Sequence, residues 1–171
     1  MKEKNETKWF DDYANSPGAW LNTGNELYHT AEFLNKRAEF NVFANGLSTQ
    51  KIVKVISPRV VFMIRGMAME CFLKAVLVKR KKIQATDGKL INSNNGYNNH
   101  DLLLLAKDIP ELSLDKLEKN ILSALSISII GGRFPVLKNH QKKSGFGWVY
   151  PQDEDLYNNI VSKLSNLFET N

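Results

Sequence analysis

At 171 residues, 43% of them apolar, the chain is long enough to bury one core and too short for two of comfortable size. Its 23 basic and 18 acidic groups leave a net charge of +5, a mild bias toward polyanionic partners. The single cysteine, Cys71, excludes an internal disulfide, and the polar start MKEKNETKWFDD carries no secretory leader, so a reducing, cytoplasmic setting is expected.

Residues 1–15 read as a polar N-terminal segment ahead of one helical domain over 16–171. Ser16 and Pro17 form an N-cap and first-turn pair, after which Trp20, Gly24, Leu27, Ala31, Leu34 and Ala38 recur at helical spacing, predicting a long helix toward Gly46. A second helix opens at Ser57–Pro58 and runs through VFMIRGMAMECFLKAVLV to the basic run Lys79–Lys82, which suits a negative helix end or an RNA-facing patch. Apolar residues cover nearly every direction around this helix, so it belongs in the middle of the domain. Arg65, Glu70 and Lys74 interrupt the same stretch and argue against a bilayer span, so no membrane association is expected.

Between Gln84 and Asn99 the chain turns to QATDGKLINSNNGYNN, which predicts a surface loop without a packed element. HDLLLLAKDI then gives a short helix beginning near Asn99 or His100 and ended by Pro110. Ser113 is placed to cap the next helix, with Leu114, Leu117, Ile121, Leu125 and Ile129 on one face, until Gly131 and Gly132 stop it. A loop, RFPVLKNHQKKSGFGWVY, follows. Pro151 starts a final helix with an acidic first turn, Asp153 to Asp155, and a face of Leu156, Ile160, Leu164, Leu167 and Phe168. No strand is expected, and the pattern as a whole predicts an all-α, single-domain antiparallel bundle of about five helices.

The central segment MAMECFLKAVLV, the polar loop, the HDLLLLAKDI segment and a helix ending in GGRFPV follow one another in an order that resembles the HEPN superfamily of helical bundle domains. The likeness spans roughly residues 19–136 and includes the step Glu70, Leu73, Lys74, Ala75 and the His100–Asp101–Leu102 helix start. It implies a dimer of the toxin or phage-defence type that binds RNA, a nucleotide or a partner protein such as an antitoxin or nucleotidyltransferase. It further implies a metal-independent endoribonuclease as the alternative, with Arg133 and His140 matching the family's spacing of an arginine, four to six residues and a histidine. In that chemistry a histidine moves protons at the ribose 2′-hydroxyl or the leaving oxygen, and the arginine fork meets the phosphate as its charge grows. Phe134 and Pro135 depart from the polar residue that usually follows the family's arginine, and Pro135 biases Phe134 toward extended backbone.

Each candidate residue also has a purely structural role open to it. Arg133 is placed to satisfy helix-end carbonyls or pair with Glu70, His140 to sit exposed in a loop, and His100 to cap or pack at its helix start beside Asp101. Glu70 and Lys74 stand four apart in the favourable order for a helix ion pair. Lys138, Lys142 and Lys143, interleaved with Phe134, Phe146, Trp148 and Tyr150, resemble the cations and stacking surfaces of single-strand binders, or aromatics that fold back on a core. The three histidines lack ligand spacing with one another or with Cys71, so no metal or other cofactor is expected. Walker-type loops, serine-hydrolase elbows and paired-cysteine zinc patterns do not occur.

Overall fold

The computed structural model describes residues 2–37, 58–92, 100–132 and 152–170. Within them lie six α-helices, α1 (Lys2–Ala14), α2 (Pro17–Arg37), α3 (Pro58–Lys79), α4 (Leu102–Lys107), α5 (Lys116–Gly132) and α6 (Gln152–Glu169). A two-stranded hairpin, β1 (Ile83–Thr86) and β2 (Lys89–Asn92), follows α3, and a 3-10 turn at Pro110–Leu112 follows α4. The molecule is therefore a helical bundle with one small antiparallel ribbon.

Helix α3 is the axis, and α2, α4, α5 and α6 all pack on it. Met69, Leu73, Ala75 and Leu77 on it are fully buried, as expected of a helix that is apolar all round. Contacts at both ends fix the directions. Gly24 of α2 faces Phe72 while Glu32 reaches Arg65, so α2 runs antiparallel to α3. Glu154 of α6 also reaches Arg65 and Phe168 receives Lys79 through its backbone carbonyl, so α6 runs parallel to α3. Ile129, near the end of α5, meets Gly66, and Glu118, near its start, binds Lys163 far along α6. The four long helices thus alternate in direction, the up-and-down arrangement of a four-helix bundle.

Glycine lets two of these crossings close. A Cβ at Gly66 would stand 2.7 Å from Ile129 Cγ1 and 3.0 Å from the Leu125 carbonyl oxygen. One at Gly24 would stand 2.8 Å from the Phe72 ring.

The structure departs from expectation at four places. The stretch 84–99 was expected to lack a packed element, yet β1 and β2 pair through Thr86 and Lys89 around Asp87 and Gly88. Those two residues take φ of 53° and 73°, the paired left-handed geometry of a tight type I′ hairpin, for which Asp-Gly is a favoured sequence. Ile83 and Ala85 bury one face, and Asn15 closes the outer edge of β1 by accepting from Ala85 N at 2.7 Å and donating to Ala85 O at 2.9 Å. Ser113 does not cap α5, since it takes a left-handed backbone (φ 45°) behind the 3-10 turn. Asp115 caps instead: its carboxylate accepts from Glu118 N at 2.8 Å, while Glu118 accepts from Asp115 N at 3.0 Å, a reciprocal capping box. Leu117 faces outward at 56% exposure because Glu118 takes the buried stripe, answered by Lys163 at 2.6 and 2.8 Å and Asn159 at 2.8 Å. The N-terminal stretch read as polar is helical through Ala14, and its Asp11 accepts from Gly88 N at the hairpin turn.

The basic run closes α3. Lys81 adopts φ 56°, with Lys82 N bonded to Leu77 O and Lys81 N to Val78 O, both at 2.9 Å, a Schellman stop made without glycine. Lys79 is occupied by Phe168, and Arg80 binds Glu111 at 2.7 Å, so half of the run is tied into the fold.

Candidate functional site

The predicted pair Glu70 and Lys74 forms, Nζ to Oε1 at 2.6 Å, as spacing along one helix face allows. The second carboxylate oxygen, Oε2, meets His100 Nδ1 at 2.8 Å. Burial alone would push the Glu70 carboxyl up, but the charge and hydrogen bond of Lys74 and the bond from His100 outweigh it and hold the group below its ordinary value. Glu70 is therefore an acceptor only, and His100 Nδ1 carries the proton of the bond.

His100 owes its position to backbone as much as to side chain. It stands at φ 53°, a left-handed conformation uncommon for a residue with a Cβ, one step before Asp101. Asp101 is the N-cap of α4 and accepts from Leu104 N at 3.1 Å, and Leu102 N donates to Ser126 Oγ of α5 at 3.0 Å. Lys74 lies over the Trp20 ring at 4.9 Å, and Trp20 Nε1 donates to Ala14 O at 2.9 Å. The neighbouring Cys71 is buried and its thiol is pushed up to about 11, first by burial and then by the charge of Glu70, so it stays protonated and unreactive.

Five residues before Glu70, Arg65 is 1% exposed and donates to Glu32 of α2 at 2.6 Å and Glu154 of α6 at 3.0 Å. Its guanidinium lies 5.4 Å from the centre of the Tyr157 ring, which stacks in turn on Tyr28. Burial pushes both phenols up, so both remain neutral donors. In the sequence Arg65 stands out only as a charge that disfavours a bilayer span. Its partners lie 33 and 89 residues away, and no local spacing announces them.

The Arg65 contacts mark one end of the bundle, where α2 finishes, α3 begins, α5 finishes and α6 begins. The connections 38–57 and 133–151 both attach there. Residues 133–151 hold four basic groups and no acid, and residues 38–57 hold two lysines and one glutamate. Removing these six bases and one acid from 23 and 18 leaves 17 of each, so the helical body is neutral and the connections at this end carry the whole excess. The predicted residues Arg133, Lys138, His140, Lys142, Lys143 and Trp148 fall in the second connection, outside the described residues, as does any pairing of Arg133 with Glu70. Of the predicted set, the structure brings together Glu70, Lys74 and His100, with Asp101 beside them holding the helix start.

Among the described residues no cluster of histidine, cysteine and carboxylate groups could hold a metal ion, and no helix is long and apolar enough to cross a membrane. Comparison with family models, with curated proteins and with solved structures returned no match.

Proposed function

We propose that this chain is a HEPN-like helical domain that pairs with a second copy of itself and binds RNA at the end of the bundle marked by Arg65. The observation that carries the reading is the partition of charge: a neutral helical body, with the net positive charge confined to connections rooted at one end. Phosphate attraction needs such a concentration rather than a diffuse surplus. The connection 133–151 also interleaves four aromatic residues with its four cations, the composition of a surface on which unpaired bases stack.

The second reading is metal-independent cleavage of the bound RNA, favoured by the Arg133–His140 spacing within this same acid-free connection. The test is fluorescence anisotropy with a labelled single-stranded RNA across a salt series. Binding should weaken with salt, and replacing Lys138, Lys142 and Lys143 together by alanine should reduce the slope of log affinity against log salt by about 2, at roughly 0.7 per phosphate contact on a single strand. Unchanged affinity and slope in the triple variant would remove this connection from the binding surface.

A further inference from the structure

We propose that β2 is the strand through which two copies of this chain pair, edge to edge and antiparallel, about a two-fold axis at Ile91; this rests on the pairing stated above and names its surface. The ribbon has two outer edges, and among the described residues only that of β1 is closed. Ala85 has its N–H and its carbonyl both bonded to the Asn15 side chain, which stands where a further strand would. Both groups of Ala85 therefore point away from β2. Antiparallel pairs alternate between residues that bond each other and residues that face outward, so Leu90, the partner of Ala85, also turns its N–H and carbonyl outward. Asn92, opposite Ile83, does the same with its backbone. No described residue bonds to these outward groups.

This edge is complementary in charge to itself. With Ile91 on the axis, Leu90 of one copy lies opposite Asn92 of the other, and the partial positive N–H of each meets the partial negative carbonyl of its partner, so every outward group is used. An axis at Leu90 would need Gly88, which is spent: its N–H donates to Asp11, and its φ of 73° is not extended. Lys89, the one ionised residue of β2, is carried roughly 14 Å along the strand from its own copy, beyond the reach of like-charge repulsion at ordinary salt. Ile91, 55% exposed, meets the partner's Ile91 in the kind of pair whose side chains come closest. The approach is clear as well. Of the ribbon, β1 packs on α1 and α3, whereas β2 packs chiefly on β1, so the described helices leave its outer edge accessible.

The pairing makes one continuous antiparallel sheet, β1-β2-β2-β1, with an Asn15 side chain closing each end. A two-stranded ribbon is marginal by itself and a wider sheet is not, so association also steadies the hairpin. Two four-residue edges bury less than the roughly 1,200 Å² of a stable interface, and pairing by this route is therefore reversible and set by concentration.

The test is sedimentation of the full chain from about 10 μM to about 1 mM, the range in which a small interface associates. The wild-type chain should move from monomer to dimer. Ile91→Lys sets two cations against each other on the axis, at an exposed position, and should weaken association at least about tenfold with the melting temperature unchanged. Cysteine cross-linking reads the register directly. Ile91→Cys places its Cα about 4.5 Å from the partner's, within disulfide reach, while Lys89→Cys keeps the two thiols roughly 14 Å apart. Native Cys71 is buried and takes no part. Under oxidised glutathione Ile91→Cys should become a covalent dimer and Lys89→Cys should not. A dimer that forms equally well with Ile91→Lys, or cross-linking of Lys89→Cys as fast as of Ile91→Cys, overturns this interface and leaves the pairing itself standing. A wild-type chain that stays monomeric throughout the range overturns the pairing and its surface together.

Discussion

Arg65 and Glu70 stand five residues apart on α3, both buried and each answered by opposite charge, yet they connect to different parts of the molecule. Arg65 draws its partners from α2 and α6 and is sealed from water, so it acts as a clamp on the end where the cationic connections attach. Glu70 finds one partner a turn away on its own helix and the other in His100, whose side chain remains one-third exposed. Two clusters built from similar charges thus divide into one sealed inside the bundle between three helices and one that keeps a side open to solvent.

The largest effect should come from breaking the clamp. Arg65→Met keeps the apolar length but leaves Glu32 and Glu154 without their buried cation, and should cost about 3 kcal/mol in urea or thermal unfolding. That is the lower end for a broken buried pair, because both carboxylates are partly exposed and rehydrate. A loss below about 1 kcal/mol would mean that the clamp holds nothing. Next comes Gly66→Ala, between the two clusters. The added methyl meets Ile129 and the immovable Leu125 carbonyl, so overpacking outweighs the gain in helix propensity by roughly 1–2 kcal/mol. Gly24→Ala should be milder, since the Phe72 ring can turn away.

These contrasts explain what was legible in the sequence. The central helix was, because Val60 to Val78 is apolar in all directions, and the Glu70–Lys74 pair was, because it is local. The clamp was not, since Glu32 and Glu154 look like ordinary surface acids until the fold brings them together. Glu118 was missed for a related reason: a carboxylate on a buried stripe reads as a break in periodicity, and only Lys163 and Asn159 make that burial tolerable. The hairpin left a usable signal in Asp87–Gly88, masked by four-residue strands beside an asparagine-rich run. In α1 the inward positions include Thr7 and Asp11 beside Phe10 and Ala14, so its helical stripe is not an apolar one. His100 was recognised as a helix-start residue, but its bond to Glu70 joins positions 30 apart and could not be read from spacing.

Replacing Glu70 separates charge from shape. Glu70→Gln still offers a carbonyl to one neighbour but removes the anion shared by Lys74 and His100, and should cost about 1 kcal/mol near neutral pH, less than the loss at Arg65.

The smallest and most specific effect is the pH dependence of that difference. The Glu70 carboxyl is held below its ordinary value of 4.5, so its contribution is complete above that value and fades as pH falls through the lower value of the folded protein. The stability difference between the wild-type chain and Glu70→Gln should therefore shrink as pH falls below 4.5, where the wild-type carboxyl takes up its proton. His100→Gly removes one of the two donors that lower this carboxyl, so the folded value moves back toward 4.5 and the part of its contribution lost on acidification should be smaller than in the wild type. Arg65→Met leaves the Glu70 cluster intact, and its curve should keep the same separation from Arg65→Met/Glu70→Gln as the wild type keeps from Glu70→Gln. If that separation shrank, the clamp and the proton-bearing cluster would be one coupled network rather than two devices on one helix.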